Sequence, residues 1–287
     1  MARSRTGGGQ IEGIQGHGIR QKYMKFDNVD LYDTSPIVAL KRVLGILLRS
    51  DLAAGLSSRR HRIERKLLSE LGETVRGGPF VGMTYTSLVT SGGCIVPKLL
   101  GCYEQELHPV IKSILERKFD VIINIGCAEG YYAIGMARAM PTTIVYAYDI
   151  DEISRHRCGG LADKNDVANR VRIGQTISPQ DFSAYKGQRV LVICDIEGGE
   201  FALLDPIKSQ ALLEFDMLVE LHPGSAGTVD NFTGRFSATH DVEIFQPGGR
   251  NPEEFPELAS LSPLDKLLVM YERFDATSWV YLGARQT

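Results

Sequence analysis

The sequence predicts an α/β protein: a doubly wound, mostly parallel sheet that follows an N-terminal helical extension. Two patterns indicate this class. From about residue 100, short apolar segments alternate with segments of helical periodicity, as in chains that form parallel sheets covered by helices. The segments VIINI (121–125) and RVLVIC (189–194) are almost continuously apolar, which is typical of strands buried on both faces. The 287 residues suffice for one large domain and an appendage.

The first hundred residues form the predicted extension. Residues 1–34 are rich in Gly, Arg and Gln and are expected to form a flexible arm. Residues 35–100 are expected to form a cap region, with helices at 37–48 and about 59–71 and a long loop at 77–97. The first of these helices has an apolar stripe, which must be buried on the main domain or in a homodimer formed through the N-terminal helices.

Residues 101–287 are expected to form the sheet domain. Seven strands are predicted, at residues 121–125, 143–149, 170–175, 189–195, 216–221, 242–245 and 279–283. Helices are predicted between them, at residues 103–118, 131–140, 154–165, 229–238 and 263–271, with a short helix from residue 199. The alternation places successive loops at the carboxyl ends of the strands, where such sheets bind ligands.

Composition narrows the functional class. The net charge of −3 argues against a general nucleic-acid-binding protein, although the first 76 residues hold fourteen Lys and Arg against eight Asp and Glu. Five cysteines without a CxxC pair suit reduced thiols in a cytoplasmic protein. No apolar signal segment begins the chain, and the longest apolar stretch is too short to span a bilayer.

The stretch NIGCAEG (124–130) follows the first predicted strand and points to a ligand. It is not a P-loop, because no Gly-Lys-Ser/Thr follows, and Ala128 breaks the dinucleotide fingerprint G-x-G-x-x-G. Glu129 would repel a phosphate and suits a cationic or zwitterionic ligand. Asp149, at the end of the second strand, is placed to accept the two hydroxyls of a ribose. A nucleoside with an amino-acid tail fits both features.

NIGCAEG resembles the G-x-x-x-G motif of class I S-adenosyl-L-methionine-dependent methyltransferases, with Asn124 where that family usually has an acidic residue. The resemblance covers roughly residues 100–287 and implies a seven-stranded Rossmann-like sheet of the methyltransferase type. It also implies a set of residues around the methyl donor. These are Asn124, Gly126, Cys127, Ala128, Glu129, Gly130, Tyr131, Asp149, Ile150, Gln175 and Asp195. Tyr103 and Glu104 open the predicted helix that leads into the first strand, and they are expected to close over the amino-acid tail of the donor.

A second motif refines this resemblance. DIEGGE (195–200) is similar to the D-x-E-G-x-E signature of FkbM-type methyltransferases, which implies transfer of a methyl group to a hydroxyl of a sugar or natural product. Asp195 and Glu197 lie at the end of the fourth predicted strand, across from the glycine turn. A solvated acidic helix start would explain Glu200, and also Glu197, equally well.

His222 follows the fifth predicted strand, in VELHPG, and is the candidate general base for the acceptor hydroxyl, with Asp195 and Glu197 beside it. The same three residues are alternatively ligands for a divalent ion such as Mg or Mn, which is not favoured because their spacing matches no metal signature. His240 is interpreted as a surface residue.

Two alternatives to an active methyltransferase stay open. One is an inactive nucleotide-binding or scaffold member of the fold, and the other an NAD(P)-dependent oxidoreductase, against which the glycine spacing and Glu129 both argue. The acceptor, a small molecule or a glycan, has no recognisable code in the sequence.

Overall fold

The computed structural model describes residues 51–86, 95–222, 227–272 and 277–285. The predicted arm at 1–34 and the predicted helix at 37–48 lie outside these residues, so the homodimer through the N-terminal helices stays a prediction. Among the helices described, none combines the length and apolar character needed to cross a membrane. The four described cysteines, Cys102, Cys127, Cys158 and Cys194, are buried and form no disulfide.

Seven strands form one sheet in the order β3-β2-β1-β4-β5-β7-β6. The strands are β1 Val121–Ile125, β2 Ile144–Tyr148, β3 Val171–Gly174, β4 Val190–Cys194, β5 Asp216–Leu221, β6 His240–Phe245 and β7 Ser278–Ala284. β1 to β5 pair in parallel, and β7 runs antiparallel to both β5 and β6. The predicted doubly wound, mostly parallel seven-stranded sheet is confirmed. The strand order reverses between β1 and β4, which is the switch point where such sheets bind ligands.

Eight α-helices are described, several with bounds that differ from the predicted ones. They are α1 Asp51–Leu71, α2 Ile95–Leu100, α3 His108–Leu115, α4 Tyr131–Ala139, α5 Glu152–Lys164, α6 Glu200–Leu203, α7 Val229–Gly234 and α8 Pro263–Met270. The prediction of one helix over 103–118 is wrong at its start, because Glu104 adopts a left-handed backbone conformation with φ 48°. The predicted loop at 77–97 ends earlier, since α2 begins at Ile95.

Helices cover both faces of the sheet. On one face, Ile122 and Leu218 lie in a core cluster with the end of α1, with α2, α3 and α4, and with residues 75–85. On the other face, Ile123 and Val219 pack with side chains of α6 and α7. Gly135 in α4 is explained by this packing, because a Cβ there would lie 2.5 Å from the ring of Phe80.

Candidate active site

The glycine turn after β1 is held between the ends of β2 and β4. The amides of Gly126 and Cys127 donate hydrogen bonds to the carbonyl of Tyr148, at 2.8 and 3.0 Å. Gly126 has φ 76°, and a Cβ at this position would overlap the carbonyl oxygen of Asp195. Only glycine therefore fits where the turn crosses the end of β4.

The second half of the turn leads into α4. Gly130 has φ 104°, and a Cβ there would lie 3.0 Å from both Cys158 Sγ and Ile134 Cγ1. Ala128 is also left-handed, with φ 49°, and its amide donates to Asp149 Oδ2 at 2.8 Å. Asp149, which the sequence predicts to bind a ribose, therefore also links the glycine turn to the end of β2.

Asp149 retains acceptor capacity in this arrangement. Its Oδ1 accepts from the amide of Asp151 at 2.9 Å, and each carboxylate oxygen can accept a further hydrogen bond. Ile150 follows it with 79% of its surface exposed, and Gln175 is exposed after β3. The ends of β2 and β3 therefore present a carboxylate, an apolar side chain and an amide on one edge of the sheet.

Asn124 occupies the place where an acidic residue was expected from the family pattern. Its side chain is buried, and Nδ2 lies 3.4 Å from the carbonyl oxygen of Ile193. Its Oδ1 is buried with no hydrogen-bond partner among the described residues. An orphaned amide oxygen beneath the glycine turn is a group that a bound donor of hydrogen bonds would satisfy.

Glu129, a predicted ligand-binding residue, is paired within the chain. Its carboxylate is buried and forms an ion pair with Lys98 Nζ, each side chain being 4% exposed. Lys98 also lies over the ring of Tyr103, 4.7 Å from its centroid, and 5.5 Å from that of Tyr131. The charge of Glu129 is therefore balanced from within the chain, by a lysine of α2, rather than left for a cationic ligand.

Tyr103 and Glu104 lie in the left-handed turn before α3, close to α4. Glu104 is buried and accepts a hydrogen bond from the Tyr132 hydroxyl, while its own amide donates to Glu272 Oε2 at 3.1 Å. The hydroxyl of Tyr131 is buried without a partner among the described residues. The segment that was expected to close over the donor thus contacts the first turn of α4.

His222 lies among three carboxylates at the ends of β4 and β5. Its Nδ1 is 3.1 Å from Glu200 Oε1, and its Nε2 is 3.3 Å from Glu197 Oε2 and 3.9 Å from Asp195 Oδ1. The side chains are 19% exposed for His222, 36% for Asp195, 85% for Glu197 and 0% for Glu200. The structure brings the three predicted catalytic residues together and adds a buried fourth.

The electrostatics of this cluster follow from burial and charge. The hydrogen bond to Glu200, with the charges of Glu220 and Asp195, raises the pKa of His222 to about 9 against the opposing effect of burial. Burial, then the nearby Glu220 and Glu104, raises the pKa of Asp195 to about 8. Burial alone would raise the pKa of Glu200, but the hydrogen bonds from His222 and from backbone amides lower it. At neutral pH, His222 is therefore mostly protonated.

A cation could be held here by atoms other than the predicted set. One ligand atom each from Asp195, Glu200 and His222 lie within 4.8 Å of one another. This trio contains Glu200 in place of the predicted Glu197. Two carboxylates and one imidazole suit Mg or Mn.

Sequence reasoning missed two buried carboxylates. Glu200 is wholly buried, so the alternative of a solvated acidic helix start is wrong for it and holds only for Glu197. Glu220 is 5% exposed and accepts a hydrogen bond from Thr277. A signal existed, because a glutamate inside the apolar strand DMLVEL has no solvated side to occupy. His240 is likewise buried, bonded to the carbonyl of Phe215, and not a surface residue.

Comparisons with known proteins give fold likenesses only. No family model matches the chain, and no curated protein matches it. Solved structures similar to it include the O-methyltransferase TomG from Streptomyces achromogenes, involved in tomaymycin synthesis and in complex with S-adenosylmethionine, at 14% identity, 66% coverage of this chain, 83% of that chain and TM-score 0.41. Another is precorrin-6Y C5,15-methyltransferase from Geobacter metallireducens, at 16% identity, with 63% of this chain and 89% of that chain covered and a TM-score of 0.41. A third is precorrin-8W decarboxylase from Methanobacterium thermoautotrophicum, at 16% identity, with 62% of this chain and 90% of that chain covered and a TM-score of 0.41. At these values the likenesses carry no argument about activity.

Proposed function

We propose that this protein is an S-adenosylmethionine-dependent methyltransferase that methylates a hydroxyl group of a sugar or natural-product acceptor. One observation carries the proposal: the glycine turn, Asp149 and Asp195 converge at the carboxyl ends of β1, β2 and β4, beside the switch point of the sheet. The methyltransferase and FkbM-type motifs in the sequence support it, since both fall on this edge.

The residues present fit the donor. Gly126 and Gly130 leave the backbone of the turn free of side chains. Asp149 offers a carboxylate for the two ribose hydroxyls, and Ile150 offers apolar surface for the adenine base. The orphaned Oδ1 of Asn124 would accept from a donor ammonium. When bound, S-adenosylmethionine supplies a methyl group activated on a sulfonium centre. The protein's tasks are then to position the acceptor and to remove its proton.

His222 is the group proposed to remove that proton. Its Nε2 faces the rim formed by Asp195 and Glu197, while Nδ1 is held from behind by Glu200. A hydroxyl placed at Nε2 would transfer its proton to the neutral ring, and the nearby carboxylates would stabilise the imidazolium that forms. The four cysteines that the structure describes are buried and unbridged, which supports a reducing, cytoplasmic setting.

Calorimetric titration of the full chain tests donor binding. We expect S-adenosylmethionine and its demethylated product to bind, and NAD and NADP not to bind. Asp149→Ala should weaken donor binding about tenfold or more, because two charge-assisted hydrogen bonds are lost. Asp149→Asn, which keeps an acceptor oxygen for the amide of Ala128, separates loss of ribose binding from loosening of the turn and should weaken binding less.

The outcomes separate the candidate functions. Normal donor affinity in a folded Asp149→Ala variant would sink the placement of the ribose. Binding of NAD or NADP in place of the donor would indicate an oxidoreductase. Donor binding without turnover on any member of a panel of hydroxylated acceptors would indicate a binding or scaffold protein.

A further inference from the structure

The carboxylate of Glu200 has an unusual environment for a residue at the start of a four-residue helix. Its side chain is fully buried, and its Oε1 accepts hydrogen bonds from the amides of Ile196 and Gly198, at 3.2 and 3.1 Å, and lies 3.1 Å from Nδ1 of His222. The carboxylate turns back into the loop after β4 instead of pointing away from α6. This return is enabled by left-handed backbone at Glu197 and Gly198, with φ 57° and 112°.

Elementary hydrogen-bond chemistry then fixes the histidine ring. An ionised carboxylate can only accept, so the nitrogen that faces it must carry a proton. Glu200 is wholly buried 3.1 Å from Nδ1, whereas the carboxylates nearest Nε2 are the largely exposed Glu197, at 3.3 Å, and Asp195, at 3.9 Å. The buried charge therefore decides the neutral ring: the proton lies on Nδ1 and the lone pair on Nε2. The opposite tautomer would place a lone pair against a buried negative charge, which is unfavourable.

We propose that Glu200 is a positioning residue that fixes the orientation and tautomer of His222, so that Nε2 is the atom that takes the proton of the acceptor. What His222 does rests on the proposed function, whereas the state of its ring does not. Glu200 belongs to neither the donor-binding nor the catalytic set that the sequence identifies. It would act through the ring, without touching the acceptor.

The other charged groups around the ring do not replace Glu200. Asp195 and Glu197 lie on the Nε2 side, at 3.9 and 3.3 Å. Glu220 lies on β5, two residues before His222. In the pairing of β4 with β5, Cys194 is opposite Val219, so the next residues of the two chains, Asp195 and Glu220, are neighbours. Of the carboxylates described here, Glu200 is the one that contacts Nδ1. Losing it should therefore alter both the titration and the tautomer of the ring.

Nuclear magnetic resonance of the ¹⁵N-histidine-labelled full chain tests the ring directly, with the His222 signals identified by their loss in His222→Asn. In the unmodified protein we expect the neutral ring to carry its proton on Nδ1. In Glu200→Gln the titration midpoint should fall by about one pH unit or more, since the hydrogen bond to a charged acceptor is lost. Plateau kcat should fall about tenfold or more, as when a histidine loses its orienting carboxylate, with donor Kd within about twofold.

Asp216→Asn is the matched control, because Asp216 is also a buried carboxylate of the same region of the chain but begins β5 and bonds to Tyr281 at 2.7 Å. It should lower stability without moving the His222 titration. A neutral ring protonated on Nε2 in the unmodified protein overturns the proposal, even if Glu200→Gln fails to fold. An unchanged midpoint in folded Glu200→Gln also overturns it. Absence of methyl transfer by the unmodified protein, with the expected ring behaviour, would refute the proposed function alone.

Discussion

The buried ion pair between Lys98 and Glu129 allows a strong quantitative prediction. Both side chains are 4% exposed, and the lysine also contacts the rings of Tyr103 and Tyr131. Lys98→Met keeps most of the apolar chain but removes the cation from beside a buried carboxylate. Removing one partner of such a pair costs about 3–5 kcal/mol, because the buried carboxylate loses the charge of the lysine beside it. We expect Lys98→Met to lower the free energy of unfolding by that amount.

Two further variants separate the charge effect from lost packing. Lys98→Met combined with Glu129→Gln removes both charges, so the double variant should recover about 2 kcal/mol or more relative to Lys98→Met. Lys186→Met is the matched control, since Lys186 and Glu214 form an exposed pair at 3.7 Å with 64% and 47% exposed side chains. A pair of that kind contributes at most about 1 kcal/mol.

Urea unfolding at neutral pH gives the free energy of unfolding for each variant from its midpoint and slope. A loss below about 1 kcal/mol in Lys98→Met, equal to that of Lys186→Met, would refute the reasoning. So would a double variant that is less stable than Lys98→Met, because its instability would then come from lost packing and not from a buried charge.

Three other changes test the site and its supports. His222→Asn should lower kcat by about 10²–10⁴-fold and leave donor affinity nearly intact. In the unmodified protein kcat/KM should rise with pH until the His222 ring becomes neutral, near its pKa of about 9. This rise with pH should be absent in the variant. EDTA should leave the rate unchanged if His222 is the base, whereas loss of activity that Mg or Mn restores would assign the cluster to a metal. Gly126→Ala should destabilise the fold by about 2–5 kcal/mol in melting experiments, since it adds overlap with Asp195 to a left-handed backbone. Gly187 is the control, because it has φ +79° and a Cβ there would meet nothing within 4 Å. Gly187→Ala should therefore cost only about 1–2 kcal/mol. Equal losses in these two glycine variants would contradict the packing argument.

The sheet could be predicted from the sequence because its strands carry their own signal. β1 and β5 have the predicted bounds, since each is mostly apolar and carries few polar residues: Asn124 in β1, and Asp216 and Glu220 in β5. α2 was missed because a six-residue helix that follows a Gly- and Ser-rich stretch has too few turns to show a period. Its burial depends on contacts with distant parts of the chain, which local composition does not report.

The glycine turn and the ends of β2, β4 and β5 could be located in the same way, since topology alone brings them to one edge. The ion pairs and hydrogen-bonded charges at that edge could not be predicted from the sequence. Lys98 and Glu129 are 31 positions apart, and Glu200 and His222 are 22 apart. Which carboxylate is buried against which cation depends on side-chain packing in three dimensions, so local sequence shows neither the pairing of Glu129 with Lys98 nor the burial of Glu200.

The contact between Phe80 and Gly135 ties the cap region to the helix that follows the glycine turn. α4 begins at the glycine turn, and the notch that Gly135 leaves in it is filled by a ring from residue 80, while Lys98 of α2 balances Glu129 in the turn itself. A chain that began at residue 101 would carry the complete sheet, yet it would lack both the ring that fills the notch in α4 and the lysine that pairs with Glu129. The glycine turn is in this sense a shared structure, because residues of the extension and of the sheet domain together form its surroundings.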